Sequence, residues 1–184
     1  MTPLRLAVII GSTREGRMGD RVGRWFVDQA QQRDEMTLTV VDLAAYDFPA
    51  SYPAEPTVTM RAFAQQVSRA EAFVVVTPEY NHSFPASLKQ AIDYAYDEWQ
   101  AKPVGFVSYG CRSVGLHAVD QLRTVFTALH AVTVRDTVGV DLLCGEPTPQ
   151  AEDQLRQDVR VLLDQLCWWG LALRDGRAAR PYVS

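Results

Sequence analysis

At 184 residues, 47% of them hydrophobic, and a formal charge of −4, the chain can bury one core of its own, and a single domain over residues 1–184 is expected. The mild acidity is spread along the chain without a basic stripe, which argues against nucleic acid as a partner, and no apolar run reaches membrane-spanning length. The N-terminus lacks a signal-peptide layout, so a cytoplasmic protein that engages no membrane is expected.

Residues 4–10 (LRLAVII) are apolar apart from Arg5 and do not alternate, as suits a strand covered on both faces in a parallel sheet. The loop that follows, GSTREGRMGD at 11–20, carries the hydroxyls of Ser12 and Thr13, the cations Arg14 and Arg17 and three glycines, and it opens a helix with Val22, Trp25, Phe26 and Ala30 on one side. Free backbone N–H groups, the positive end of a helix dipole and guanidinium donors converge there, an arrangement suited to a phosphate. A βα connection of small residues can bind nothing, but two arginines so close to a strand end favour the anion site. The loop is not a nucleoside-triphosphate site, because Arg17 and Met18 stand where the P-loop needs Lys and a hydroxyl. Nor is G-x-G-x-x-G present, and Asp42 is the only acidic residue placed to hold a ribose. A single phosphate remains.

Residues 37–41 (TLTVV) read as a second strand, followed by a loop over 42–56 with Tyr46, Phe48 and Tyr52. Residues 57–69 show helical spacing through Met60, Phe63 and Val67, and 72–76 (AFVVV) form a third, fully apolar strand. The loop TPEYNHSFP leads to a helix from Pro85, with Leu88, Ala91, Ile92, Ala95 and Trp99 on one face. Tyr94, Tyr96 and Trp99 spread around more than one face of that helix, a pattern that predicts an apolar patch and a homo-oligomer. Residues 103–108 are the fourth strand, and the loop YGCRSVG precedes a helix with Leu116, Val119, Leu122, Phe126 and Leu129. Residues 132–138 are expected as a fifth, edge strand, and 152–173 as a closing helix. Cys111, Cys144 and Cys167 are widely spaced and without nearby His partners, a pattern of neither a disulfide framework nor a zinc site; Cys167 is expected in the core.

Five strands alternating with five helices predict a doubly wound α/β fold, and the short chain favours the flavodoxin-like strand order 2-1-3-4-5. The loops after strands 1, 3 and 4 then meet at the carboxyl edge of the sheet, where ligands bind in open α/β folds. In the second of these loops Pro78 stiffens the backbone, Tyr80 offers a flat surface, and Asn81 both donates and accepts, which suits a planar heteroaromatic ring with a polar edge. The competing reading makes Glu79, Asn81 and Ser83 helix-capping residues. His82 reads as a solvated loop histidine without a metal partner. The third loop, with Tyr109, either contacts the far edge of the ring or only forms a turn.

Three motifs, GSTREGRMGD at 11–20, TPEYNHSFPASLKQAIDY at 77–94 and VSYG at 107–110, give the chain a resemblance to the NADPH-dependent FMN reductase family of flavodoxin-like proteins, which includes quinone, azo-dye and chromate reductases. The resemblance implies that Ser12, Thr13, Arg14, Arg17, Met18 and Gly19 hold the phosphate of FMN. By the same resemblance Pro78, Glu79, Tyr80 and Asn81 line the isoalloxazine, and Ser108, Tyr109 and Gly110 close the site. The third loop departs from the family pattern, since Cys111 and Arg112 intervene before Ser113. The implied activity passes a hydride from NADPH or NADH through bound FMN to a small-molecule acceptor, in a homodimer or homotetramer. The alternatives are an electron-transfer flavodoxin and a non-redox phosphate- or nucleotide-binding module. Flavodoxins carry a hydroxyl-rich phosphate loop without arginine and a strongly acidic surface, and this chain has neither.

Overall fold

Three apolar strands that neighbour one another in the sheet set the architecture: β1 (Leu4–Ile10), β3 (Ala72–Pro78) and β4 (Pro103–Gly110) are buried along almost their whole length. In the computed structural model, which describes residues 2–142 and 148–183, they form the parallel centre of a sheet flanked by β2 (Met36–Asp42) on one side and by β5 (Val132–Thr133) and β6 (Val138–Asp141) on the other. The strand order is β2-β1-β3-β4-β5, as the sequence predicts. Cys144 lies outside the described residues.

Side chains alternate between the two faces. Ala7, Ile9, Phe73, Val75, Val104 and Phe106 pack under α2 (Val58–Arg69), α3 (Ala86–Asp93) and α4 (Leu116–Ala128). Leu6, Val8, Val74, Val76 and Val107 pack under α1 (Gly19–Ala30) and α5 (Pro149–Ala179). Gly170 lets α5 lie close on the sheet, because a Cβ there would stand 2.7 Å from the Leu4 side chain. Among the described residues no helix is long and apolar enough to cross a membrane.

Three elements differ from expectation. The edge strand is interrupted: from Thr133 to Val138 it takes five steps where β4, from Val104 to Val107, takes three. The surplus residues form a bulge, and Arg123 from α4 donates to the carbonyls of Val134 (2.6 Å) and Arg135 (2.7 Å) within it. The closing helix is longer than predicted, starting at Pro149 behind Thr148, whose hydroxyl caps Ala151 N–H. The helix after Pro85 stops at Asp93, so Tyr94, Tyr96 and Trp99 do not ring one helix. Tyr94 turns back to donate to Pro49 O (2.8 Å), and Trp99 is fully buried against Phe73 and Phe126, its indole N–H on Ile92 O. The apolar patch expected of this segment is thus largely consumed within the chain; Cys111 is exposed and Cys167 only partly buried.

Lys102 reaches under the end of α2, where its ammonium donates to Val67 O (2.9 Å) and Ser68 O (3.0 Å). Burial, reinforced by nearby Arg177, pulls its pKa down to about 8. The unfolded chain therefore holds this proton more tightly than the folded one between pH 8 and the ordinary lysine value, and stability rises with pH across that window. The gain is on the order of 3 kcal/mol at most. Denaturant midpoints of wild type and Lys102→Met measured from pH 7 to 10 are expected to diverge in favour of wild type as pH rises; a constant difference would remove the effect from Lys102.

Candidate active site

The loops after β1, β3 and β4 emerge together at the carboxyl edge of the sheet, and each is fastened to its neighbour. Ser12, almost fully buried, places its hydroxyl 3.2 Å from Tyr80 Oη, and Thr13 Oγ1 donates to Ser87 Oγ at the start of α3 (3.2 Å). The segment YNHS, read as cap or ring platform, is a tight turn in which Tyr80 and Ser83 exchange N–H···O bonds of 2.8 and 2.9 Å. Asn81 (φ 50°) and His82 (φ 63°) occupy its two left-handed central positions. Glu79 Oε2 accepts from Ser113 Oγ (2.8 Å) and from His117 N–H (3.2 Å), joining the second loop to the third.

The first loop is held open from below. Arg17, its side chain only 11% exposed, donates to Asp42 Oδ1 (2.7 Å) and Oδ2 (2.6 Å), approaches Asp20 Oδ1 (2.7 Å) and bonds the carbonyl of Ser12. Burial works against the charge on Asp42, but the donors from Arg17 and Ala44 N–H prevail and hold its carboxyl below the usual range. Asp42 is therefore engaged with Arg17, away from the ribose-binding role considered for it. Above this pin, the backbone N–H groups of Thr13, Arg14, Glu15 and Gly16 meet no protein acceptor among the described residues, and the exposed Arg14 has neither ion pair nor hydrogen bond there. Four unpaired amides and one uncommitted guanidinium at a helix start suit a phosphate.

The third loop contributes less than its motif implies. Ser108 is fully buried and donates to Val114 O (2.8 Å), and Tyr109 is 3% exposed with its ring in the core beneath α1. Neither side chain faces the edge where a ring would lie, so of VSYG only backbone and Gly110 remain for that purpose. The Tyr109 hydroxyl has no partner among the described residues, and burial pushes its pKa up to about 12. It lies under Gly19, where a Cβ would stand 3.0 Å from it, so the start of α1 favours glycine and the loop after β1 rests on a tyrosine. Met18 packs partly into the same core, and Pro78 ends β3 opposite Tyr109. Sequence reasoning missed Ser113, His117 and Gln121, which bond the second loop from the third loop and α4; the predicted adjacency of strands 3 and 4 was the available signal.

A profile of the NADPH-dependent FMN reductase family matches residues 4–142. The chain belongs to that family. It is 34% identical over 121 residues to an NAD(P)H-dependent FMN reductase from Schizosaccharomyces pombe, an alignment spanning 60% of this chain and 59% of that relative. It is 29% identical over 177 residues to a quinone reductase from Pseudomonas putida, spanning 89% of this chain and 93% of that one. In fold it is similar to FerB, a flavoenzyme NAD(P)H:(acceptor) oxidoreductase from Paracoccus denitrificans (TM-score 0.73, 20% identity, 89% of this chain and 97% of that one). A flavodoxin from Pseudomonas aeruginosa shares the fold less closely (TM-score 0.53, 22% identity, 87% of this chain and 99% of that one). The free amides, Arg14 and the Tyr80 turn fit the family's FMN in charge and in polarity.

Because Arg17 bridges two carboxylates and a carbonyl, Arg17→Ala is expected to lower stability by about 1–3 kcal/mol, with Arg17→Lys recovering only part, since an ammonium cannot replace a two-pronged donor. Equilibrium denaturation without ligand tests this, and an unshifted midpoint would show that the loop holds its shape without the pin.

Proposed function

We propose that this chain is an FMN-dependent NAD(P)H oxidoreductase that reduces a small-molecule acceptor such as a quinone, azo compound, metal oxyanion or free flavin, and that residues 1–184 act as one FMN-binding domain. The observation that carries the reading is the cradle of N–H groups from Thr13 to Gly16, unpaired among the described residues, beside Arg14, which has no partner among them either, at the carboxyl edge of the sheet. The quinone reductase relative, aligned over nearly its whole length, supports the acceptor class.

In this proposal the loop amides and Arg14 neutralise the phosphate, while Arg17 works from beneath, keeping Ser12 and the loop in place through Asp42. Tyr80, held by its turn and by Ser12, offers one ring to stack against and a hydroxyl at the edge. Asn81 is exposed, its amide available as both donor and acceptor toward a heteroaromatic edge. Glu79 acts as a fastener of two loops through Ser113 and His117 N–H, and Pro78 sets where the loop begins. Bound FMN supplies the hydride and electron transfer itself. No side chain of this chain is needed as acid or base in the reading. Cytoplasmic residence and a homodimer or homotetramer complete it; the half-exposed Trp168–Trp169 pair on α5 is apolar surface suited to self-association, and light scattering tests that part.

The decisive experiment is anaerobic titration with FMN followed by NADPH. Loss of the oxidised flavin absorbance is expected. A bound flavin that NADPH leaves coloured would indicate an electron-transfer flavodoxin, and absence of flavin binding a non-redox phosphate module.

Arg14→Ala is expected to weaken FMN about tenfold to a hundredfold, corresponding to about 1.5–3 kcal/mol for a charge-assisted bond, while riboflavin, lacking the phosphate, is little affected. Fluorescence titration of both ligands decides this, and an unchanged preference for FMN over riboflavin would remove Arg14 from the phosphate site. Tyr80→Ala is expected to impair binding or turnover more than His82→Ala, since the exposed His82 ring stacks on His117 at the tip of the loop whereas Tyr80 is tied to Ser12; equal losses would misplace the ring.

A further inference from the structure

Beside the groups just assigned, and sharing Glu79 with them, one set of side chains has converging chemistry. His82, at the tip of the loop after β3, stacks its imidazole on that of His117 in the first turn of α4, with ring centroids 4.3 Å apart and planes within 5°. Glu79 completes the set: one ligand atom from each of the three residues lies within 4.8 Å of the others. Two imidazoles and a carboxylate, two of the three residues solvent-exposed and the third partly buried, are a donor set for a borderline divalent transition ion rather than for calcium or magnesium, which favour all-oxygen cages.

We propose that Glu79, His82 and His117 form a metal-binding site for a zinc-class divalent ion on the rim of the candidate active site. Its supports are already fixed. The Glu79 carboxylate is oriented by Ser113 Oγ and by the backbone N–H of His117, an arrangement like the outer hydrogen bonds that aim metal ligands. The turn that presents His82 is closed by the Tyr80–Ser83 bonds and anchored to α4 twice, with Gln121 Nε2 donating to His82 O (2.8 Å) and Ser83 Oγ donating to Gln121 Oε1 (2.6 Å). His82 adopts φ 63°, a conformation uncommon for a residue other than glycine, and the turn thereby brings its ring over His117.

Parallel rings point their lone pairs side by side, whereas a tetrahedral ion with Zn–N bonds of about 2.0–2.1 Å needs its two nitrogens roughly 3.3 Å apart. Binding therefore calls for the two exposed rings to tilt toward each other, a side-chain movement that leaves the anchored backbone alone. With three protein donors in place, the remaining position faces solvent. The ion would link the loop after β3 to the start of α4, fixing the two segments between which Glu79 already runs.

The test is titration of the purified protein with zinc(II) against a chromogenic chelator, with cobalt(II) absorption as a second readout independent of activity. One ion per chain is expected, with affinity falling at least tenfold in His117→Gln and in His82→Asn. His117→Gln retains the backbone N–H that holds Glu79, and asparagine tolerates the left-handed conformation at position 82, so both variants preserve the loop. Cys111, exposed in the adjoining loop, is controlled by Cys111→Ser. Unchanged affinity in both histidine variants, loss in Cys111→Ser alone, or absence of saturable binding at micromolar metal would each overturn the site. None of these readouts depends on flavin binding, so the failure of this proposal is distinct from failure of the reductase reading.

Discussion

Burial of β1, β3 and β4 on both faces is the constraint from which the rest follows. A strand with helices above and below has only its two ends free, and in a parallel sheet all the carboxyl ends leave at one edge. The chain's polar chemistry therefore concentrates there: the hydroxyls and arginines after β1, the Glu-Tyr-Asn-His run after β3, and the Cys-Arg-Ser turn after β4. The same constraint buries residues whose type alone suggests a ligand. Ser108 and Tyr109 lie within β4, and their side chains go to the two helix-covered faces, whatever the motif around them implies.

Within that edge, in the proposed reading, affinity for an anion and rigidity of the loop are divided between two neighbouring arginines. Arg17 spends its donors on Asp42, Asp20 and the Ser12 carbonyl, and contributes little net positive field because two carboxylates balance it. Arg14, three residues earlier and exposed, meets no carboxylate partner among the described residues. A loop with both arginines free would be more attractive to phosphate but would have to be ordered on binding, at the cost of conformational entropy. The pinned arrangement orders it beforehand.

Much of this was legible in the sequence. The five-strand alternation, the order of the sheet, and the gathering of the loops after strands 1, 3 and 4 followed from apolar runs and crossover rules, since strands buried on both faces leave an unambiguous pattern. What was not legible depended on tertiary partners. The end of α3 at Asp93 follows from Tyr94 reaching Pro49 and Trp99 finding Phe73, contacts across 45 and 26 positions that no local period reveals. The break in the edge strand depends on Arg123 from the preceding helix. His82 looked like a solitary loop histidine because its partner, His117, is 35 positions away on another element.

The interrupted edge also bears on how the molecule avoids its own kind. An open parallel sheet ends in a row of amide groups able to recruit a strand from another chain, the first step toward ordered aggregation. Here that row is cut in two: a docking strand in register with β5 would lose register before reaching β6, and the carbonyls of Val134 and Arg135 between them are already taken by Arg123. The bulge at 134–137 thus acts as an insulator on that side of the sheet, with the Arg123 guanidinium occupying carbonyls that an incoming strand would otherwise seek.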